Sequence, residues 1–168
     1  MKRYLYIVRH ARAEDGSSFF GDFQRELTSS GIIDAARMGR FLAEKGVKPD
    51  LILSSSAPRA LKTAQIMAEQ LGYDPAQITD TRNLYDGGSR AYLQAVTSTP
   101  DTCQTLMIFG HNPDVSFFSE YVTHADIGNM SKAGVVAIEI ENLDWSMVSM
   151  RTGKFLSYDS PKQLREDL

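Results

Sequence analysis

The chain has 168 residues, of which 42% are hydrophobic and 23% charged, a balance that excludes a disordered or fibrous class. A chain of this length most simply forms one domain, residues 1–168, which needs no metal or disulfide to fold. The net charge is −3 and the basic residues are scattered, so we expect no nucleic-acid or membrane partner. A single Cys103, with neither a signal-peptide pattern nor a membrane-length apolar segment, favours a cytoplasmic location.

The apolar residues predict strands that alternate with helices along the chain. Strands are expected at residues 4–9, 51–53, 78–81 and 105–110, and helices after Thr28 or Ser29, at 58–71, at 89–96 and at 113–122. Two further strands, at 133–140 and 145–150, read as a hairpin at one edge, and a polar, loosely held tail is expected from about Ser157. The predicted class is therefore α/β, a three-layer α/β/α sandwich with a mainly parallel sheet and an antiparallel edge strand.

Two histidines stand directly after buried strands that are far apart in the sequence. His10 follows the first strand, and His111 follows the strand that ends at Gly110. If these strands are parallel neighbours, both imidazoles lie at the carboxyl edge of the sheet, where open α/β sheets bind ligands. The pairing predicts an active site at this edge.

Three arginines can supply an anion site beside these histidines. Arg9 precedes His10, Arg25 lies in the loop that enters the first helix, and Arg59 lies in the first turn of the second helix. A cation at a helix start opposes the helix dipole, but an anion held between that guanidinium and the helix amides is stabilised by both. Three guanidinium groups around one tetrahedral dianion suit phosphate.

Other chemistries lack support in the sequence. We expect no metal and no cofactor, because the chain has no histidine pair at helical spacing, no paired cysteines and no two-metal aspartate cluster. It also has no Walker or Rossmann glycine pattern, which argues against a kinase or a dehydrogenase. The third histidine, His124, is interpreted as a surface or helix-capping residue.

Four segments in order resemble motifs of the histidine phosphatase superfamily, and among its members the small SixA-type phosphohistidine phosphatases are the most similar. The segments are Val-Arg-His-Ala at 8–11, Arg-x-Leu-Thr-x-x-Gly at 25–31, Ser-x-x-x-Arg-Ala-x-x-Thr-Ala at 55–64 and Gly-His-Asn-Pro at 110–113. The resemblance runs from Arg3 to about Met150. It implies a phosphoglycerate mutase-like fold, and the chain has no insertion long enough for a large helical cap.

The resemblance also implies roles for individual residues. His10 is similar to the nucleophile that takes the phosphoryl group, and His111 to the partner that stabilises it. Arg9, Arg25 and Arg59 resemble the phosphate clamp, and Asn112 is a further substrate-binding candidate.

Two departures from the family's pattern stand out. Ala11 occupies a position where many members carry glycine. Many relatives also have an acidic proton donor, for which this chain offers Asp86, although the residues around it depart from the family's pattern.

Three functional hypotheses follow. The first is a metal-independent phosphatase that forms a phosphohistidine intermediate and acts on phosphohistidine in a partner protein. The second is a small-molecule phosphomonoesterase or mutase, and a mutase must shield its phosphorylated enzyme from water, which an uncapped site does poorly. The third is a module that only recognises phosphorylated partners, against which the presence of both histidines weighs.

Overall fold

The structure, a computed structural model, describes residues 1–15 and 21–166. The predicted loop from Ala11 to Glu26 therefore lies partly outside the described residues. The strands are β1 (Lys2–Arg9), β2 (Leu51–Ser55), β3 (Thr79–Thr81), β4 (Thr105–Gly110), β5 (Val135–Glu141) and β6 (Lys154–Asp159). The α-helices are α1 (Ser29–Glu44), α2 (Pro58–Leu71), α3 (Asn83–Asp86), α4 (Ser89–Thr97), α5 (Asp114–Thr123) and α6 (Pro161–Glu166).

The six strands form one sheet in the order β3-β2-β4-β1-β5-β6. The first four strands in this order run parallel, whereas β5 is antiparallel to both β1 and β6. Since β1 and β4 are parallel neighbours, the two histidines emerge side by side at the carboxyl edge. The predicted α/β class, with its mainly parallel sheet and antiparallel edge, is confirmed.

Helices cover both faces of the sheet. Because side chains alternate along a strand, neighbouring residues of β1 enter opposite cores. Val8 packs in a core with Met38 of α1 and Met67 of α2, whereas Ile7 packs in the core that contains α4 and α5. This arrangement is the predicted three-layer sandwich.

The helix boundaries follow the capping signals of the sequence. The Thr28 side chain accepts a hydrogen bond from the Gly31 amide at 3.1 Å and caps α1. Helix α2 begins at Pro58 and ends at Leu71, and it is followed by the C-cap residue Gly72, whose positive φ of 74° favours glycine. His124 is the C-cap residue of α5, in agreement with its interpretation as a capping residue.

The prediction that residues 145–150 form the second strand of the edge hairpin is wrong. Residues 145–147 form a 3₁₀ helix, and the strand that pairs with β5 is β6. Trp145 and Val148 are both buried while Met147 is 61% exposed, so the inward side chains are three residues apart rather than two. The Trp145 indole donates to the Cys103 carbonyl at 2.7 Å, which satisfies its N–H inside the core.

The C-terminal segment is ordered further than the polar sequence indicates. Ser157, where the loosely held tail is expected to begin, lies within β6. Ser160 and Pro161 after it are buried, and Leu164 packs against the core on the α1 side. Pairing with β5 accounts for this order, because that strand offers a free edge to the polar segment.

Candidate active site

The floor of the site is the end of two paired strands. Arg9 of β1 is in register with Gly110 of β4, and the His10 amide donates to the Gly110 carbonyl at 3.0 Å. This pairing carries the two imidazoles to adjacent positions, with 5.2 Å between their ring centroids. The sheet therefore brings together the two predicted catalytic histidines.

His10 is held in one tautomer by its own neighbour. Its Nδ1 lies 2.7 Å from the Ala11 carbonyl oxygen, which can only accept, so Nδ1 carries the hydrogen. Burial, together with the charges of His111, Arg59 and Arg9, lowers the pKa of His10 to about 3. Burial, rather than the charge of the nearby arginines, is the largest cause of this lowered pKa. The ring is neutral at pH 7, with its lone pair on Nε2.

His111 is anchored by Ser55 and Tyr92. Its Nε2 lies 2.8 Å from the Ser55 hydroxyl oxygen, and its backbone amide donates to the Tyr92 hydroxyl at 3.2 Å. Burial lowers the pKa of His111 to about 4, with a further contribution from the charge of Arg59. The Ser55 hydroxyl can donate to Nε2, and in that tautomer Nδ1 carries a hydrogen that it can donate to a phosphoryl oxygen.

The Tyr92 ring occupies the space beside Gly110, where a Cβ would overlap the Tyr92 hydroxyl. The close approach explains why glycine precedes His111, since only glycine leaves room for the hydroxyl that receives the His111 amide. The same hydroxyl donates to the Leu84 carbonyl at 2.7 Å. Tyr92 thus connects the end of β4 to α3.

Four buried side-chain nitrogens have no hydrogen-bond partner among the described residues, and three of them belong to the predicted site. These are Nε of Arg9, Nε of Arg59 and Nδ1 of His111, and the fourth is Nε of Arg3. Buried donors ordinarily find a partner, so a cluster of such atoms marks a place for a ligand. Two guanidinium donors beside two imidazoles suit the oxygens of a phosphoryl group.

The remaining predicted binding residues are held by the protein itself. Arg9 Nη1 donates to the Met130 carbonyl at 2.7 Å, and the Asn112 amide nitrogen donates to the same oxygen at 3.1 Å. The Asn112 Oδ1 accepts from Ser116 at 2.6 Å. Both amide atoms of Asn112 are thus engaged, and they fasten the segment around Met130 beside His111.

Asp22 is a site residue that the sequence analysis missed. Arg59 donates from Nη1 to its carbonyl oxygen at 2.8 Å and from Nη2 to its carboxylate at 3.0 Å. Arg25 Nη1 and the Tyr85 hydroxyl donate to the same carboxylate at 2.9 and 2.7 Å. These bonds hold the pKa of Asp22 well below its usual range, and the hydrogen bonds from Tyr85 and Arg25 have the largest effect. The only sequence signal was its spacing three residues before Arg25.

Among the described residues, Asp86 forms no hydrogen bond with either histidine. It ends α3, and its carboxylate accepts from Arg82 Nε at 3.2 Å. Its neighbour Tyr85 reaches the site instead, with its ring edge-on to His111 at 5.3 Å between centroids. Phe23 packs edge-on against Tyr85 at 4.9 Å, and Arg82 lies over both rings. An aromatic wall of Phe23 and Tyr85 therefore borders the histidines.

Within residues 1–15 and 21–166, no three histidine, cysteine, aspartate or glutamate side chains cluster in a way that could hold a metal ion. In the same residues, no helix is both long enough and apolar enough to cross a bilayer.

Comparison with known sequences identifies the family. The sequence profile of the histidine phosphatase superfamily (branch 1) matches residues 5–87. An uncharacterised protein of Picosynechococcus is 30% identical over 142 residues, which cover 80% of this chain and 83% of that protein. An uncharacterised chloroplast protein of Arabidopsis thaliana is 34% identical over 67% of this chain, and the match spans 55% of its own length, little more than half. The chain belongs to the histidine phosphatase superfamily.

Solved structures agree with this assignment. The phosphohistidine phosphatase SixA described from Agrobacterium tumefaciens superimposes with a TM-score of 0.79 at 25% identity, covering 95% of this chain and 98% of that one. A protein histidine phosphatase SixA in complex with tungstate superimposes with a TM-score of 0.77 at 24% identity, covering 96% and 99% of the two chains. The fold of this chain is that of the SixA proteins, which are phosphoglycerate mutase-like.

Proposed function

We propose that the protein is a metal-independent phosphatase that transfers a phosphoryl group to His10 and then hydrolyses the phosphohistidine intermediate. Membership of the histidine phosphatase superfamily and the SixA fold support phosphatase activity. A reducing, cytoplasmic location belongs to the same proposal and is supported by the single, unpaired Cys103.

The observation that carries the proposal is the state of His10. Its Nδ1 donates to a main-chain carbonyl, and burial keeps the ring neutral, so Nε2 presents a lone pair at the edge of the sheet. An attacking imidazole needs this tautomer and this charge. The unpartnered nitrogens of Arg9, Arg59 and His111 supply donors for the charge on the transferring group.

Two steps complete the reaction. In the first, Nε2 of His10 forms a bond to phosphorus as the bond to the leaving group breaks, and the leaving group takes the electron pair. In the second, the oxygen of a water molecule forms a bond to phosphorus as the bond from phosphorus to Nε2 breaks, the electron pair returns to the imidazole, and inorganic phosphate leaves. Phosphoryl transfer depends mainly on alignment and charge stabilisation, which paired strand ends and arginines provide.

The proposed substrate is phosphohistidine in a partner protein. An alkoxide leaving group is strongly basic and needs a general acid, whereas imidazole, with an ordinary pKa of about 6.5, leaves readily. The candidate acid Asp86 is paired with Arg82, and the Asp22 carboxylate accepts three side-chain hydrogen bonds. A site whose carboxylates are occupied in this way favours the better leaving group.

The test is to trap the intermediate. Wild-type protein exposed briefly to a phosphorylated substrate and quenched in alkali is expected to carry an acid-labile phosphoryl group on His10. His10→Ala is expected to lose both the adduct and turnover while remaining folded. The matched control is His124→Asn, which changes an exposed histidine at a left-handed position that asparagine tolerates. Turnover by His10→Ala would remove His10 from the role of nucleophile.

A substrate panel tests the substrate class separately. We expect kcat/KM to be highest for a phosphohistidine protein, lower for an aryl phosphate and lowest for sugar phosphates. High activity on sugar phosphates would instead assign the protein to the small-molecule phosphatases or mutases. Binding of the phosphoprotein without turnover would assign it to the recognition modules.

A further inference from the structure

Asp22 connects three separate segments at the site. It lies on the loop between β1 and α1, accepts from Arg25 on the same loop, from Arg59 at the start of α2 and from Tyr85 in α3. Its side chain is 53% exposed, whereas that of Arg59 is only 5% exposed. A surface carboxylate thus reaches the charged end of a buried arginine.

The contact with Arg59 uses one edge of the guanidinium. Nη1 donates to the Asp22 carbonyl and Nη2 to the carboxylate, so one residue holds the end of the group through two donors. The Nε of Arg59 stays buried without a partner among the described residues. The charge of Arg59 lowers the pKa of both His10 and His111, which places it near both imidazoles.

We propose that Asp22 is a positioning residue for the phosphate clamp, acting through Arg59. By holding the outer edge of this guanidinium, Asp22 directs the remaining edge, with Nε, toward the phosphoryl oxygens. The bonds to Arg25 and Tyr85 fix the carboxylate in turn. This inference rests on the proposed function, because it concerns the same anion site.

A positioning role for Asp22 and simple charge repulsion predict opposite changes in anion affinity when Asp22 is replaced. Removing a negative charge near an anion site strengthens anion binding if charge alone matters. A positioning role predicts weaker binding, because a released guanidinium must be ordered again when the anion enters. The sign of the change therefore separates the two explanations.

The experiment measures orthovanadate binding by calorimetry, which needs no turnover. We expect Asp22→Ala to bind vanadate about tenfold more weakly than wild type, the size of a lost charge-assisted hydrogen bond. Asp22→Asn keeps one side-chain oxygen, and its vanadate affinity is expected to lie between those of wild type and Asp22→Ala. The matched control is Glu26→Gln, which removes the same charge from an exposed residue of the same loop and is expected to bind as wild type does.

A double-mutant cycle shows whether Asp22 acts through Arg59. In an Arg59→Ala background, Asp22→Ala is expected to change vanadate affinity by no more than about twofold, since the group that it positions is gone. A merely structural role for Asp22 would weaken binding equally in both backgrounds and would overturn the proposal. Thermal unfolding of each variant identifies any loss of the folded state. If Asp22→Ala is unfolded, Asp22→Asn replaces it in the double-mutant cycle.

Two further results have distinct meanings. If Asp22→Ala binds vanadate as tightly as wild type or more tightly, the positioning role is wrong and the proposed function is unaffected. If wild type itself binds no vanadate, both the proposed function and the positioning role are overturned.

Discussion

The two sides of the site are built in different ways. The histidine side rests on strand ends, with His10 and His111 buried and held by main-chain groups and Ser55. The arginine side depends on a loop, where the partly exposed Asp22 joins Arg25 and Arg59 through side-chain hydrogen bonds. The sheet fixes His10, the proposed nucleophile, whereas the loop holds Arg25 and Arg59 of the proposed clamp.

Because of this difference, we expect changes on the histidine side to affect stability and changes on the loop side to affect anion binding. Two neutral, buried imidazoles are part of the core, so conditions that protonate them act against folding. The Asp22 carboxylate is exposed on the loop, although the Arg59 side chain that it contacts is buried, and ion pairs with an exposed partner contribute little to the free energy of unfolding. Changes on the loop side are therefore expected to alter anion binding more than stability.

The largest effect is expected from acid on the histidine side. The folded-state pKa values of His10 and His111 are lowered to about 3 and about 4, below the ordinary value of 6.5. Below pH 6.5 the unfolded chain binds protons that the folded chain does not, so the free energy of unfolding decreases as the pH is lowered. The loss reaches about 1.4 kcal/mol per pH unit for each histidine. Urea unfolding at pH 7.5 and pH 5 measures it.

Variants assign this loss to the two imidazoles. His10→Asn and His111→Asn are each expected to flatten the fall in stability between pH 6.5 and 4.5, and His124→Asn is expected to leave it unchanged. Asp22 has a lowered pKa, so its contribution is present above the ordinary carboxylate range and is lost only in stronger acid. A fall in stability that is as steep in both site variants as in wild type would show that the imidazoles are not its cause.

The next effect concerns the clamp. Arg59→Ala is expected to weaken vanadate binding by about 1.5–3 kcal/mol, the range for a hydrogen bond to a charged group, and to lower turnover as well. Arg25→Ala is expected to do less, because Arg25 Nε donates to the Glu14 carbonyl and its Nη1 to Asp22. Calorimetry compares the two variants. Unchanged binding by Arg59→Ala would place that guanidinium outside the anion site.

The smallest effect on phosphohistidine hydrolysis is expected at Asp86. Its carboxylate is paired with Arg82 at the surface, so Asp86→Asn is expected to leave phosphohistidine hydrolysis nearly unchanged. Any hydrolysis of alkyl phosphate is expected to slow by about 10²- to 10⁴-fold if Asp86 donates the proton to the leaving group. Paired assays on the two substrates measure the ratio. Equal, large losses on both would indicate a structural role or an orienting role toward water.

The sequence predicted those features that local patterns encode. Apolar runs ending at His10 and His111 gave the two strand ends, and the capping residues Thr28 and Gly72 gave helix boundaries. Trp145 was misplaced, because an apolar run without clear alternation fits a strand or a single helical turn equally well. Pairing with β5 decided the position of β6, and such long-range pairing leaves little trace in a polar segment.

The sequence by itself determined the fold class, the two histidines and the arginines, because strand ends and motif spacing are local properties. Only the tertiary structure decided that Asp22 holds Arg59, that Tyr85 packs against His111 and that Asp86 pairs with Arg82. Asp22 and Tyr85 are 63 residues apart in the chain, and their hydrogen bond of 2.7 Å depends on how the loop after β1 lies against α3. No local pattern specifies such a contact, because it arises from the packing of segments that the sheet brings together.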